Sequence, residues 1–496
     1  MPPPLRMQSL WKDIEPSGRV YGSLNELALH HGYLEQPASR GYRLGVNASD
    51  WLRGACATIR SNSQAQLRSL FNQLARLLST LTNAVFVFDS QLIQDAKPVV
   101  PQHMLDSFQS LINVFGFHVH TAPGEAEAEL AALNAVGLID AVFTKDIRAF
   151  LFGAVTVIQR GNNTIFENVT VYTAERILKE TRISRGGMLL VVLLNRFPHY
   201  EMTVPQTHLT QSLARYGFGE RLLYAIEDFG SNIPAPFVDD WCNELADYFQ
   251  RDPLGYIGNS YRMPPPVFPA SFPDLSLANG FIHPVTSPSE VLLGHDWLLR
   301  MPDVPRILQY CIQHFSSPTG NIMFERFRRS INAGVAFRSL LQETVTQDEK
   351  SQVLTQFLPS SSEPSSNNFF IKIEKCVFVE GQWMAKIRMD LPAVTVDDPV
   401  FRLNARCVLA IPASLMLRAR PHCRQELLSA INPLYQIHHS PARPLLEPAS
   451  PETPAVLMPP SSSSDGVIDL THDANDDAII DLTGNNSDSD SDFATI

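Results

Sequence analysis

The sequence predicts an α/β fold: a parallel sheet with flanking helices, then a helical extension, a small β-rich C-terminal module and a disordered acidic tail. Three patterns lead there. Short apolar runs at Arg43–Val46, Val85–Phe88 and Ala141–Phe143 alternate with stripes of helical period, as in strand–helix alternation around a parallel sheet. Between Phe369 and about Arg420 the signal turns to closely spaced strands. From Pro444 onward there are eleven Asp or Glu and no Lys or Arg, in a background of Pro and Ser; such a segment has too little apolar surface to offset the entropy of ordering.

Taken in order, Arg43-Leu44-Gly45-Val46 reads as a buried strand that ends at Asn47. Leu67, Leu70, Phe71, Leu74, Leu77, Leu78 and Leu81 form an i, i+3, i+4 stripe, a helix packed on the sheet. Val85–Phe88 is a buried strand ending in Asp89, and Phe117–His120 is a further strand, with His118 and His120 pointing outward as edge residues rather than ligands. A helix opens after Pro123, whose preset φ suits a first turn. Glu125 and Glu127 in that turn meet the positive helix end, and Leu130, Leu133 and Val136 would face the core. The run Met188–Leu194 is apolar throughout and suits a central parallel strand. Leu293–Leu299 and Ile307–Phe315 look helical, and Pro359–Asn368 is a Ser/Pro linker. The strand signals of the C-terminal module are Phe369–Ile373, Cys376–Val379, Trp383–Ile387, Val400–Leu403 and Ile411-Pro412.

The chemistry-bearing residues lie where these strands end. Asp146 follows Ala141-Val142-Phe143 closely, so with Glu125 and Glu127 three carboxylates gather at the carboxyl edge of the sheet, where open α/β folds place ligands. Crowded carboxylates repel unless a cation holds them, and hard oxygen donors point to Mg²⁺ or Mn²⁺. A guanidinium among them, that of Arg148, is a permanent cation that would occupy a metal's place rather than recruit one.

With 496 residues the chain has room for two or three domains. Its six cysteines (56, 242, 311, 376, 407 and 423) are dispersed and form no Cys-x-x-Cys pair, so neither a zinc site nor a disulfide framework is expected, and a reducing compartment is. The first residues lack the apolar core of a signal peptide, and no apolar run is long enough to span a bilayer; a soluble intracellular protein without a membrane partner is expected. The net charge of -12 resides almost entirely in the acidic tail, leaving about -1 for residues 1–443. A basic footprint for nucleic acid would therefore be local.

The segment PGEAEAELAAL, followed by a strand, Thr144-Lys145-Asp146 and Leu151-Phe152-Gly153-Ala154, resembles the internal nuclease motif of the flap endonuclease/XPG family of PIN-like 5′ nucleases, closest to the fungal Holliday-junction resolvase (Gen/Yen-type) branch. Ser9-Leu10-Trp11-Lys12 stands where the family has Gly-Leu-Trp-Lys, although Met1 to Pro4 precede the aligned start and Arg6 takes the aligned glycine position. The resemblance implies a Mg²⁺-dependent structure-specific endodeoxyribonuclease acting on branched DNA (a flap or four-way junction) in repair and recombination, and hence in the nucleus. It implies domains at 7–160 (N-terminal and internal nuclease-like regions), 161–345 (the rest of the nuclease core and a helical extension), 346–368 (linker), 369–440 (β-rich module) and 441–496 (tail).

The family's catalytic and metal-ligating acids match Asp89, Glu125, Glu127 and Asp146, four of seven; the positions of Asn47 and Arg148 and the site around Asn195-Arg196 have lost theirs. No glycine occurs from Met188 through Tyr216, where the family carries a glycine-rich hairpin that grips duplex phosphate, and Lys97 is the one cation between Ser90 and Phe115, where it carries a basic clamp. Arg326, Arg328 and Arg329 are candidate phosphate contacts, or else a solvated helix face.

The tail holds two near-copies, Val467-Ile468-Asp469-Leu470 and Ile479-Ile480-Asp481-Leu482, followed by a Ser-Asp run from Ser487. They resemble the SUMO-interacting motif, which adds a strand to a sheet edge while its acids meet a basic rim; the serines suit acidophilic kinases. Three readings result: a degenerate nuclease homologue that keeps junction or partner binding, an active divalent-metal 5′-flap or junction endonuclease, and a SUMO-binding adaptor without DNA affinity.

Overall fold

The computed structural model describes residues 8–34, 41–58, 63–90, 100–161, 166–194, 211–256, 258, 268, 271–315, 331–344, 370–379, 382–395, 402–435 and 479–480. Seven strands form the main sheet: β1 (Arg19–Ser23), β2 (Tyr42–Asn47), β3 (Thr82–Phe88), β4 (His118–Thr121), β5 (Ala141–Phe143), β6 (Thr156–Gln159) and β7 (Glu167–Thr173), in the order β1-β7-β6-β5-β2-β3-β4. Neighbours from β6 to β4 run parallel, while β7 is antiparallel to β6 and β1 to β7. The sheet continues across residue 160, since β6 and β7 are hydrogen-bonded neighbours.

Helices clothe both faces, which is why β2 and β3 are buried along their whole length. In chain order they are α1 (Gln8–Ile14), α2 (Leu24–Leu29), α3 (Ala48–Thr58), α4 (Ser63–Leu78), α5 (Gln102–Val114), α6 (Ala126–Ala135), α7 (Arg148–Leu151), α8 (Ala174–Thr181), α9 (Arg185–Leu194), α10 (Gly219–Phe229), α11 (Ala235–Arg251), α12 (Leu275–Ile282), α13 (Ser289–Leu293) and α14 (Val304–Phe315). The strand period of two sorts side chains between two cores. Ala84, Phe86 and Phe88 join the apolar residues of α4 and α5 on one face, whereas Val85 and Val87 join α1, α6 and α9 on the other. The predicted stripe Leu67–Leu81 is buried throughout and lies in the first of these cores. Burying each phenyl ring there contributes about 2–3 kcal/mol.

Gly45 marks the closest packing beside the carboxyl edge. A Cβ at this point of β2 would lie 2.3 Å from Ile139 Cδ1 and 2.6 Å from Leu130 Cδ2. Only a residue without a side chain lets α6, which carries Glu127, sit this close to β2.

Several elements differ from the sequence expectation. Met188–Leu194 is not a central strand but part of α9, buried on all sides. An all-apolar run carries no period that distinguishes a buried strand from a buried helix. Here Gly186 in α9 and Gly219 in α10 approach so closely that neither tolerates a Cβ, which sets a helix–helix contact no strand could make. Leu130 and Leu133 reach the core as expected, but Val136 caps α6 and is 42% exposed. Leu293–Leu299 is not helical: α13 stops at Leu293, and the following residues run as a strap over edge strand β4. Asn83 Nδ2 donates to Trp297 O (2.9 Å) and His118 Nε2 to Leu298 O (2.8 Å), so side chains of the sheet take the carbonyls that a helix would have used.

The two histidines of β4 do not point outward, because this strap covers them. His118 is 2% exposed; His120 bonds Glu129 Oε1 at 2.7 Å, while the backbone N–H of Ser287 donates to Glu129 Oε2 at 2.8 Å. His295 stacks on Trp297 and meets His120 edge-on.

The C-terminal module is a second sheet, ordered β11-β10-β9-β8, of β8 (Phe370–Val379), β9 (Gln382–Thr395), β10 (Arg402–Pro412) and β11 (Ile479–Ile480). The two predicted strands Phe369–Ile373 and Cys376–Val379 merge into β8, which absorbs the irregularity as a register shift between Ile373 and Lys375. Two helices follow β10, α15 (Ala413–Ala419) and α16 (Arg424–Tyr435). Arg420 makes a bidentate pair with Glu343 (2.8 and 2.9 Å), tying the module to helical residues 331–344. The linker 346–368 lies outside the described residues. Among the described residues no helix is long and apolar enough to cross a membrane, and Cys56, Cys242, Cys311, Cys376 and Cys423 are free thiols.

Burial holds the His118 pKa down at about 4, outweighing the bond to Leu298. The unfolded chain takes up this proton near its ordinary value of 6.5, and the folded protein refuses it until about pH 4, so acidification through that window favours unfolding. Urea unfolding should show wild-type stability falling by roughly 2–3 kcal/mol more than that of His118→Asn between about pH 7 and pH 4. Parallel pH profiles for the two proteins would contradict the assignment.

Candidate active site

Four segments bring the predicted acids together at the carboxyl edge of the sheet. β2 ends at Asn47 and β3 runs into Asp89; Glu125 and Glu127 open α6, and Asp146 lies between β5 and α7. Because β2, β3 and β5 are parallel, their carboxyl ends share one rim, so sequence-distant residues converge. Asp89 Oδ1 accepts the backbone N–H of Ala126 at 2.9 Å, so the strand-end carboxylate receives the first amide of the helix that carries the glutamates.

The positive charge comes from arginines. Arg148 Nε donates to Asp146 Oδ2 at 2.7 Å, its backbone N–H to Asp146 Oδ1 at 2.9 Å, and its Nη1 to Glu125 Oε2 at 3.1 Å. Burial works against the Arg148 charge, but the carboxylates of Asp146 and Glu125 outweigh it and raise its pKa above the usual range. The Phe152 ring lies 5.9 Å from the guanidinium carbon. On the opposite side, Arg53 of α3 donates through Nη1 to Asp89 Oδ2 at 2.8 Å and pairs with Asp50 one turn earlier. Sequence reasoning missed Arg53. The available signal was the Asp50-x-x-Arg53 spacing just after the end of β2, which puts both side chains on one helix face.

Asn47 is committed at both ends of its amide: Oδ1 accepts the Asp50 N–H (3.0 Å), capping α3, and Nδ2 donates to Glu127 Oε2 (3.0 Å). The second oxygen of Glu127 is buried without a hydrogen-bond partner. Burial, and next the charge of Asp146, raise the Glu127 pKa well above the carboxylate range, so a proton competes with any cation for that oxygen.

This donor set does not fit a two-metal centre. Both oxygens of Asp89 and of Asp146 are engaged, Glu125 is paired with Arg148, and Glu127 is held by Asn47. Among the described residues no group of three or more His, Cys, Asp or Glu is disposed to hold a metal ion. Lys145 and Arg160 add exposed cations nearby; burial, and then Arg160, lower the Lys145 pKa. Trp11 Nε1 donates to Lys145 O at 2.9 Å, fixing the amino-terminal helix against this loop. Asn195, Arg196, Arg326, Arg328 and Arg329 lie outside the described residues, as do Val467, Ile468, Asp469, Leu470, Asp481 and Leu482. Ile479 and Ile480 form β11, away from this site in the second sheet.

Comparison with known proteins places this geometry in context. Residues 116–196, from the approach to β4 through α9, match the XPG I-region family model. The chain is 37% identical over 92 residues to the DNA repair protein RAD2 of Saccharomyces cerevisiae, covering 18% of this chain and 9% of that protein. It is 28% identical over 237 residues to the flap endonuclease GEN-like 1 of Oryza sativa subsp. japonica, covering 40% and 36% respectively. The chain thus spans well under two thirds of these relatives' lengths.

Among solved structures, the eukaryotic junction-resolving enzyme GEN-1 with sodium superposes with a TM-score of 0.61 at 21% identity, over 88% of this chain and 100% of that one. The Holliday junction-resolving enzyme GEN1 in complex with product DNA and Mg²⁺ gives 0.59 at 22%, with the same coverage. At this identity the likeness is one of fold, the PIN-like nuclease fold that the sequence predicts.

Arg148→Gln would leave Asp146, Glu125 and Glu127 facing one another without the guanidinium. Because the pair is about a third exposed, the stability loss should be only about 1 kcal/mol. The telling measurement is thermal unfolding with and without Mg²⁺: the variant's midpoint should rise with the cation and the wild type's should not. An equal response from both would show that Arg148 is not the competing charge.

Proposed function

Because the chain belongs to the XPG/flap endonuclease family, we propose that it is a Holliday-junction-resolvase-like, structure-specific DNA-binding protein whose nuclease catalysis is lost or strongly reduced. The observation that carries this reading is Arg148, bonded to Asp146 and Glu125 within the carboxylate cluster. Family chemistry uses metal ions to activate water and to stabilise the leaving oxygen of an in-line phosphodiester displacement. In this chain Arg148 and Arg53 occupy oxygens of Asp146, Glu125 and Asp89 and offset part of their charge, while Asn47 orients Glu127, which weakens the pull on a cation. The exposed cations Lys145 and Arg160 on the same rim support retained contact with a phosphate backbone. Residence in the nucleus, and a role in repair or recombination, follow from the family and belong to the same proposal.

A second reading, an active Mg²⁺- or Mn²⁺-dependent flap or junction endonuclease, draws on the partial exposure of the Arg148–Glu125 pair. A solvent-screened ion pair is weak, and its rearrangement would free Glu125 and Asp146 together. A third, SUMO binding through the tail, draws on β11, where the second tail motif forms a strand on a sheet edge.

Titrating the protein against labelled 5′-flap and four-way-junction DNA, with Mg²⁺ or Mn²⁺, separates the three. The expected result is salt-sensitive binding of branched DNA without cleavage. Cleavage that disappears in Glu125→Ala/Glu127→Ala would overturn the proposal in favour of the active enzyme. Neither binding nor cleavage would leave the tail as the functional part, and weaker SUMO binding by Ile468→Ala/Ile480→Ala would then support the adaptor.

A further inference from the structure

The tail was expected to reach outward to partners, yet Ile479-Ile480 lies on the protein's own second sheet. β11 runs parallel to β10, with Ile479 opposite Val408 and Ile480 opposite Leu409, while β9 holds the other side of β10 in antiparallel register. β10 would otherwise be an edge strand, whose unpaired N–H and C=O groups invite pairing with another chain.

We propose that the second tail motif, through Ile479 and Ile480, is an internal ligand of the C-terminal module: it docks on the β10 edge within the same chain, so that motif and edge mask each other.

Three features favour this occupant. The paired segment consists of two isoleucines, a residue type favoured in strands. The charges are complementary. Residues 370–435 carry nine Lys or Arg against six Asp or Glu, whereas the chain from Pro444 onward has eleven acids and no Lys or Arg. Covalent connection also presents the tail at an effective concentration on the order of millimolar, so a contact too weak to hold a separate peptide can close in cis. The inference stands independently of the nuclease reading and of whether the tail binds SUMO.

Hydrogen–deuterium exchange on the full chain tests it. Amides of β10 (402–412) should exchange about tenfold faster in Ile479→Asp/Ile480→Asp than in wild type, and at the wild-type rate in Val467→Asp/Ile468→Asp. The wild-type protection should survive about a hundredfold dilution, because closure in cis does not depend on protein concentration. Equal exchange in wild type and Ile479→Asp/Ile480→Asp would overturn the proposal. So would loss of protection on dilution, which would assign the edge to a second copy, or an equal effect of the first-motif variant, which would remove the distinction between copies. No partner is present in these measurements, so failure here is distinct from a failure of the tail to bind SUMO.

Discussion

Carboxylates gathered at the carboxyl edge of a parallel sheet cannot persist without compensating positive charge, and the way this protein supplies it governs the rest of the site. Arg148 faces Asp146 and Glu125, and Arg53 faces Asp89. Both cations are covalently fixed, so much of the cluster's charge is offset permanently rather than on arrival of an ion. The same bonds do structural work. Asp89 receives the first amide of α6 while it holds Arg53, and Asn47 caps α3 while it holds Glu127. Four elements are thereby joined at one point.

The scaffold itself does not rest on the charged groups at its rim. The packing that positions the rim is apolar and lies beneath it: Gly45 admits α6 onto β2, and α9 meets α10 through Gly186 and Gly219. None of that depends on a metal. Where the carboxylates are tied to arginines, the fold keeps its rim without a bound cation.

Charge is divided along the chain in the same spirit. The folded body is near neutral, with its cations placed locally, while the tail concentrates acid. A tail of this kind keeps the molecule soluble and competes electrostatically with nucleic acid for basic surface. Of its apolar islands, Ile479-Ile480 pairs with β10 as a strand. The β10–β11 pair brings these two properties onto the same small module.

Most of what converges on the rim was legible in the sequence, because it depends on local period and on where strands end. β2, β3 and β5 follow from short apolar runs, and Asn47, Asp89 and Asp146 from their termini; Glu125 and Glu127 follow from a helix start after Pro123. The presence of Arg148 among acids was equally plain. The tertiary structure decided what sequence spacing cannot encode. It turned Met188–Leu194 into a helix, since an unbroken apolar run has no period and only the glycine contact with α10 distinguishes the two. It covered His118 and His120 with a strap drawn from residues more than 150 positions away, and it swung Arg53 onto Asp89, 36 residues on. A local pattern specifies which face of an element is apolar. Which distant chain comes to lie against that face depends on packing and on the need of buried polar groups for partners.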